Sequence, residues 1–313
     1  MIRDQHSMQT TLANKVSCSG VGLHSGSQVS MVIYPAEANT GIVFKRTDVA
    51  SKHSLIPAQF DAVCDTRLGT KLTNRHGVTV STVEHLMAAF WGTGVDNALV
   101  VLDGPEVPIM DGSSEPFVFM IECAHVARLQ QPRRMLRILK TIEVKHNDSI
   151  ARVEPNLEGE EGCTLDIEIR FDNSFIRRQT SSYDFRETSF TQTLSRARTF
   201  GFEHEVAALQ QMGLALGGSL DNAIVVGKEG VLNEGGLRYN DEFVRHKALD
   251  CLGDLYLAGY RIDGAFSFLC PGHAINNKLL RALLADKSAY MIVDPTNTDA
   301  VFPYTQPAIA AYA

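Results

Sequence analysis

Short stretches rich in valine, isoleucine and aromatic residues, each bounded by turn residues, recur at 29–34, 41–45 and 97–102 and predict strands. Residues 81–91 and 115–129 instead carry apolar positions at helical spacing, the second behind a Ser113-Ser114-Glu115 cap signal. A polar interruption, Gln130-Gln131-Pro132-Arg133-Arg134, follows and predicts a domain boundary near Pro132. Beyond it 136–144, 150–154 and 164–171 again read as strands. The glycine-containing stretch 206–218, a segment at 241–254 and the stretch 276–284 read as helices. Strands followed by helices in each half predict an α+β class of two stacked layers, and argue against an alternating βαβ chain. The predicted units are 1–130, carrying Glu84 and His85, and 135–300, carrying His246 and Asp250. Residues 301–313 read as a C-terminal tail of small apolar residues after Pro307.

Composition narrows the class. A chain of 313 residues with 44% hydrophobic side chains can bury a substantial core in two units. A formal net charge of −7 with no basic block argues against nucleic acid as a partner, because phosphate neutralisation needs a basic surface. The six cysteines lack any C-x-x-C pair, which fits neither a disulfide framework nor a thiolate metal cluster, and reduced thiols are the simpler account. The amino terminus has no apolar core of a secretory signal and no stretch reaches the length of a membrane span. A soluble cytoplasmic protein without stable membrane insertion is expected.

The candidate chemistry centres on His246, Asp250 and Asp254, spaced four residues apart so that a helix presents all three on one face. That helix reads as exposed, with Phe243, Val244, Leu249, Leu252 and Leu255 as its core contact. The plainer reading of the charged face is a helix-surface ion pair. Glu84-His85 lies among apolar neighbours, where a charged dipeptide is hard to explain as surface; its plainer reading is a buried histidine held by a carboxylate. Two histidines and an aspartate would make a three-ligand zinc site with an open fourth position. Adjacent helical residues point about 100° apart, so His85 can bind a metal while Glu84 reaches a water beside it. Ser195-Arg196-Ala197-Arg198-Thr199-Phe200-Gly201-Phe202 offers an oxyanion donor beside a sugar-stacking ring, or else an edge strand with solvated charge. Pro271-Gly272-His273 places a histidine in a turn, as a general acid or a surface residue. Gly20-Val21-Gly22-Leu23-His24-Ser25-Gly26 matches no phosphate-loop pattern and reads as a turn with close backbone approach.

Taken in order, Gly20 to Gly26, Ser81-Thr82-Val83-Glu84-His85, the run from Asp103 to Ser113, Ser195 to Gly201, Phe243-Val244-Arg245-His246-Lys247 with Asp250 and Asp254, Pro271-Gly272-His273 and Asn276 to Leu280 resemble the UDP-3-O-acyl-N-acetylglucosamine deacetylases. These are the zinc amidases that commit a UDP-sugar to lipid A synthesis in Gram-negative bacteria. The resemblance implies two units of similar β-α-α-β topology whose sheets sandwich helices, each with a small insert. It implies one catalytic zinc on His85, His246 and Asp250, with Glu84 activating the attacking water. Thr199 would stabilise the oxyanion, and His273, oriented by Asp254, would protonate the leaving amine. Phe200 would pack on the glucosamine, Phe171 lie near uracil, and Lys247 meet polar substrate groups. An insert with Val206, Leu209, Met212, Leu214 and Leu216 would form the acyl passage, with Leu23 a further apolar candidate. Some relatives carry a cysteine near the metal where this chain has Gly69, so no thiol ligand is expected there. The alternatives are a zinc amidase of another N-acetyl sugar or a peptide, and a non-catalytic regulatory protein of the same fold. The donor set also accepts iron or cobalt. The tail could serve as a handle for a regulatory protease.

Overall fold

The computed structural model describes residues 7–173, 175–294 and 297–305. In the first half a five-stranded sheet has the order Val16–Val21, Gln28–Pro35, Ala98–Leu102, Ile42–Arg46, Leu55–Pro57. Only Ile42–Arg46 and Ala98–Leu102 run parallel; the other neighbours are antiparallel. Period-two patterning sets which face is inside: in Gln28–Pro35, Val29, Met31 and Ile33 are buried while Gln28 and Ser30 face solvent. Helices α1 (Glu84–Thr93) and α2 (Glu115–Ala124) pack together beside this sheet.

The second half is built on an eight-stranded sheet centred on Arg261–Leu269. The first residues of this strand pair in parallel with Met135–Ile138. Its later residues lie between Ser149–Glu154 and Cys163–Arg170. Leu165, Ile167 and Ile169 alternate inward from Cys163–Arg170 and meet the helical layer. That layer contains α5 (Glu242–Leu255) and α6 (His273–Ala285), whereas α3 (Phe190–Thr193) and α4 (Glu203–Gln211) lie in the connection before them. Helix α5 crosses α1 at the centre of the molecule. Gly253 permits this approach, since a Cβ there would collide with the carbonyl oxygen of Glu84 and stand 3.1 Å from the nitrogen of Ala88. The α+β class expected from the sequence is the class observed.

Several expectations need correction. The helix predicted over 115–129 stops at Ala124, where His125 takes φ 57°, and the chain turns into the strand Val126–Pro132. The polar segment around Pro132 is therefore the end of that strand, which pairs with Met8–Leu12. The single strand expected at 136–144 is two, Met135–Ile138 and Ile142–His146. The helix at 241–254 is not exposed: most of α5, including His246, Asp250 and Asp254, is buried. Residues 301 and 302, expected in the tail, close the strand Asn297–Phe302, which pairs with Tyr290–Asp294. Residues 306–313, with the apolar run read as the tail, lie outside the described residues. No helix among the described residues is long and apolar enough to cross a membrane.

Candidate metal centre and active site

The crossing of α1 and α5 brings His85 to within reach of His246 and Asp250. One ligand atom from each of the three lies within 4.8 Å of the others. Asp250 Oδ1 is 3.5 Å from His85 Nε2 and 3.4 Å from His246 Nε2, and the two rings meet edge to face at 5.0 Å. All three residues are buried, yet Asp250 Oδ1 has no hydrogen-bond partner among the described residues. His246 Nδ1 donates to the carbonyl of Ala197 at 3.2 Å, which leaves the Nε2 lone pair for the cluster. Burial, outweighing the pull of Asp250, lowers the His246 pKa to about 3, so the ring is neutral. Burial works against the charged form of Asp250, but His246 and Lys247, whose Nζ is 2.8 Å from Asp250 Oδ2, hold its carboxyl well below the usual range. A buried carboxylate oxygen unpartnered among the described residues and facing two imidazole nitrogens is a donor set suited to a divalent cation. His85 Nδ1 is likewise without a partner among the described residues.

Glu84 and His273 flank this cluster and are tied to each other through Thr70. The Thr70 amide donates to Glu84 Oε2 at 2.9 Å, and its hydroxyl donates to Asp254 Oδ1 at 2.6 Å. Asp254 Oδ2 accepts from His273 Nδ1 and from Asn276 Nδ2, both at 2.8 Å. Burial lifts the Glu84 pKa against the pull of His273 and His85. Burial opposes protonation of His273, but Asp254 and Glu84 outweigh it and raise its pKa to about 9. Two neighbouring groups are thus poised oppositely, a carboxylate made more basic and an imidazolium kept charged at neutral pH.

A cavity of about 320 Å³ opens over these residues. Glu84, His85, His246, Asp250 and His273 line it together with Thr199, Phe200, Lys247 and Leu23. Lys247 Nζ lies 5.6 Å from the centre of the Phe200 ring. Asp254 stands behind His273. Phe171 stands behind Phe200, with ring centres 5.6 Å apart, and neither it nor Met212 nor Leu214 lines the cavity. His273 is not a surface histidine: it begins α6 and is buried.

The two cations of Ser195 to Phe202 do not serve the cavity. Arg198 is clamped on buried Glu242, Nε to Oε1 at 2.8 Å, and Arg196 lies 3.4 Å from Glu115 near the surface. What the stretch supplies to the cavity is Thr199 and Phe200. The stretch 206–218 is helical only to Gln211, and α4 contains no buried residue; Met212 is 65% exposed and Leu216 50%. The segment is therefore not core. Its continuation is fixed to the glycine-rich turn, with the amides of Leu216 and Gly217 donating to the carbonyls of His24 and Leu23.

Thr70, Asn276, Thr82 and Glu106 are site-building residues that pattern reading missed. Buried Glu106 accepts from the amides of His24 and Ser25 and from the Thr82 hydroxyl at 2.8–2.9 Å, joining the glycine-rich turn to the start of α1. Thr82 holds φ 57° just before Val83, Glu84 and His85. The detectable signal was an acid, Glu106, in an otherwise apolar run between Pro105 and Ile109.

Residues 9–285 match the sequence profile of the LpxC family, described as UDP-3-O-acyl N-acetylglycosamine deacetylase. A protein of Acidithiobacillus ferrooxidans named UDP-3-O-acyl-N-acetylglucosamine deacetylase is 48% identical over 307 residues, 97% of this chain and 99% of the relative. Proteins of the same name from Shewanella frigidimarina and Chromohalobacter salexigens are 47% and 48% identical, covering 91% and 96% of this chain and 92% and 99% of their own lengths.

Proposed function

Because the chain belongs to the UDP-3-O-acyl N-acetylglycosamine deacetylase family, we propose that it hydrolyses the acetamide of UDP-3-O-acyl-N-acetylglucosamine, releasing acetate at the committed step of lipid A biosynthesis. The observation that carries this reading is the convergence of His85, His246 and Asp250 within 4.8 Å, beside Glu84 and His273 in one cavity. In this reading the three hold one zinc ion. When bound there, the ion would polarise the acetamide carbonyl and lower the pKa of water.

The chain's own groups divide the remaining work. Glu84, whose carboxylate burial makes a stronger base, takes the proton of the attacking water. The Thr199 hydroxyl donates to the oxygen on which negative charge develops. His273, charged at neutral pH and held by Asp254, gives a proton to the glucosamine nitrogen as the C–N bond breaks. Water oxygen ends on the acetyl carbon, and the products are acetate and a free amine. Phe200 offers a ring to the sugar face, with Phe171 behind it toward the uracil. Lys247 offers a cation to polar substrate groups, and Leu23 with Met212 and Leu214 offers apolar surface to the acyl chain.

The division into units 1–130 and 135–300, the cytoplasm as the place of work, and the tail as a handle for a processive protease belong to the same proposal. Deleting the last residues is expected to lengthen cellular half-life without altering turnover. Acetate release from the UDP-sugar by metal-reconstituted protein tests the activity itself. Release from an N-acetylated peptide or another N-acetyl sugar, and none from the UDP-sugar, would reject the substrate assignment. No release from any of them, with metal bound, would leave the non-catalytic alternative.

A further inference from the structure

A second cavity, also about 320 Å³, lies at the opposite end of the central strand Arg261–Leu269. Cys270, just beyond that strand, lines the catalytic cavity, whereas Arg261 at its beginning lines the second one. A strand of this length spans about 26 Å, so the two are separate sites. The second cavity is lined by three arginines, Arg133, Arg134 and Arg261, of which Arg133 and Arg261 also line a neighbouring cavity with Trp91 and Gly94; among the described residues Asp96 supplies the only carboxylate side chain in its lining.

That single negative charge is already used. Both oxygens of Asp96 accept from Arg133 Nε, at 2.9 and 2.8 Å, and the Thr10 amide donates to one of them at 2.8 Å. Arg133 Nη2 and Arg261 Nη2 converge on Gly94, lying 3.8 and 3.9 Å from where a Cβ would stand there. The Arg261 guanidinium carbon lies 5.0 Å from the centre of the Trp91 ring and Nη2 donates to the Trp91 carbonyl, but its buried Nε has no hydrogen-bond partner among the described residues. Burial and the neighbouring Arg133 push the Arg261 pKa down, which marks a cation short of compensating charge. Arg134 stacks its guanidinium 3.9 Å over Phe302. Stacking uses the face and leaves the in-plane N–H edge for an acceptor, the geometry that suits a planar or tetrahedral oxyanion.

We propose that this cavity is an oxyanion-binding site, taking a ligand of the phosphate or carboxylate class on the guanidinium groups of Arg134 and Arg261. Nothing in the catalytic reading uses it, so it would let a small anion stabilise the protein at a distance from the reaction.

Thermal unfolding of the full chain in potassium phosphate and, separately, potassium acetate, each at constant ionic strength, tests it. A saturable rise in Tm is expected with at least one anion. It should persist in Lys247→Ala, which removes a cation of the catalytic cavity, and disappear in Arg134→Gln, with anion affinity lowered about tenfold or more by titration calorimetry. Arg134→Gln should keep its unliganded Tm and its deacetylase rate. If that variant folds poorly, Arg134→Lys, which keeps the charge and loses the planar edge, must bind more weakly than the parent. Absence of any saturable shift, loss of the shift in Lys247→Ala, or an undiminished shift in both Arg134 variants would overturn the proposal.

Discussion

His273 Nδ1 lies 2.8 Å from Asp254 Oδ2, and Asp254 is itself held by Asn276 and by Thr70, so the imidazole is fixed by a carboxylate that does not line the cavity. This arrangement ties the charge of one cavity residue to a partner buried behind it.

The consequence is a pH dependence of defined sign. The His273 pKa is raised from 6.5 to about 9, because Asp254 and Glu84 outweigh the burial that would lower it. A raised imidazole pKa contributes stability that is complete below pH 6.5 and is lost as pH rises through about 9. The capacity to donate a proton follows the same limb, so kcat should fall above about pH 9. In Asp254→Asn that limb should move to lower pH, since burial then acts without its main opponent. A pH–rate profile checks this; an alkaline limb unmoved in Asp254→Asn and in His273→Ala would reject His273 as the acid.

Removing the metal is expected to cost stability as well as activity. Without a cation, Asp250 Oδ1 is a buried carboxylate oxygen lacking a hydrogen-bond partner among the described residues, and two imidazoles crowd it. Chelation should therefore lower Tm, and added zinc should restore it in proportion to the logarithm of free metal. Asp250→Ala should lose metal and activity together, and should destabilise the apoprotein because Lys247 loses its partner at 2.8 Å. Full metal occupancy with near-normal turnover in Asp250→Ala would reject the ligand assignment.

Glu84→Gln should separate chemistry from metal binding. Its near-identical shape preserves packing beside Thr70 while removing the base. The expected outcome is retained metal content and a loss of about 10²-fold or more in kcat, the usual range for a positioned general base. A variant as fast as the parent would sink that role.

Gly253→Ala probes the crossing that assembles the centre. A methyl group there would collide with the Glu84 carbonyl and press on Ala88, and backbone at both points leaves little room to yield. The helices should separate by a fraction of an ångström, lowering stability by about 1–3 kcal/mol and weakening metal binding. Tm and metal titration report the two effects; neither changing would mean the contact is looser than its geometry indicates.

Period and motif explain what the sequence revealed. The i, i+4 spacing of His246 and Asp250 needed only a helix to become a shared face, and the strands with inward Val29, Met31 and Ile33 announced themselves by alternation. What stayed hidden depended on partners distant in the chain. The α5 helix read as exposed because its polar residues look like a solvated face, when they in fact form the buried seam against α1. Thr70 and Glu106 act through hydrogen bonds to residues 184 and about 80 positions away, and no local pattern marks such pairs. The break at His125 depends on a positive φ in a residue that is ordinary by composition.

The segment after α4 carries the last expectation. Met212 is 65% exposed and Leu216 50%, so their apolar surface is not packed in the core. The backbone of Leu216 and Gly217 is bonded to the turn that puts Leu23 on the catalytic cavity, which sets this exposed apolar surface beside the mouth of the site. If an acyl chain lies there, each methylene it buries contributes about 0.8 kcal/mol, and two lost from contact would lower kcat/KM roughly tenfold. Met212→Glu and Leu214→Glu should therefore raise KM for the acylated sugar while leaving the slow hydrolysis of UDP-N-acetylglucosamine, which has no chain, nearly unchanged. Met212 is exposed but caps the C-terminus of α4, where a glutamate opposes the helix dipole by roughly 0.3–1 kcal/mol, so for Met212→Glu the melting temperature should fall by no more than a few degrees. Comparing the two substrates isolates the chain's contribution from any general damage to the enzyme. An equal loss on both substrates, or none on the acylated one, would show that the chain takes another path, with Leu23 and Leu68 along the cavity wall as the next surface to vary.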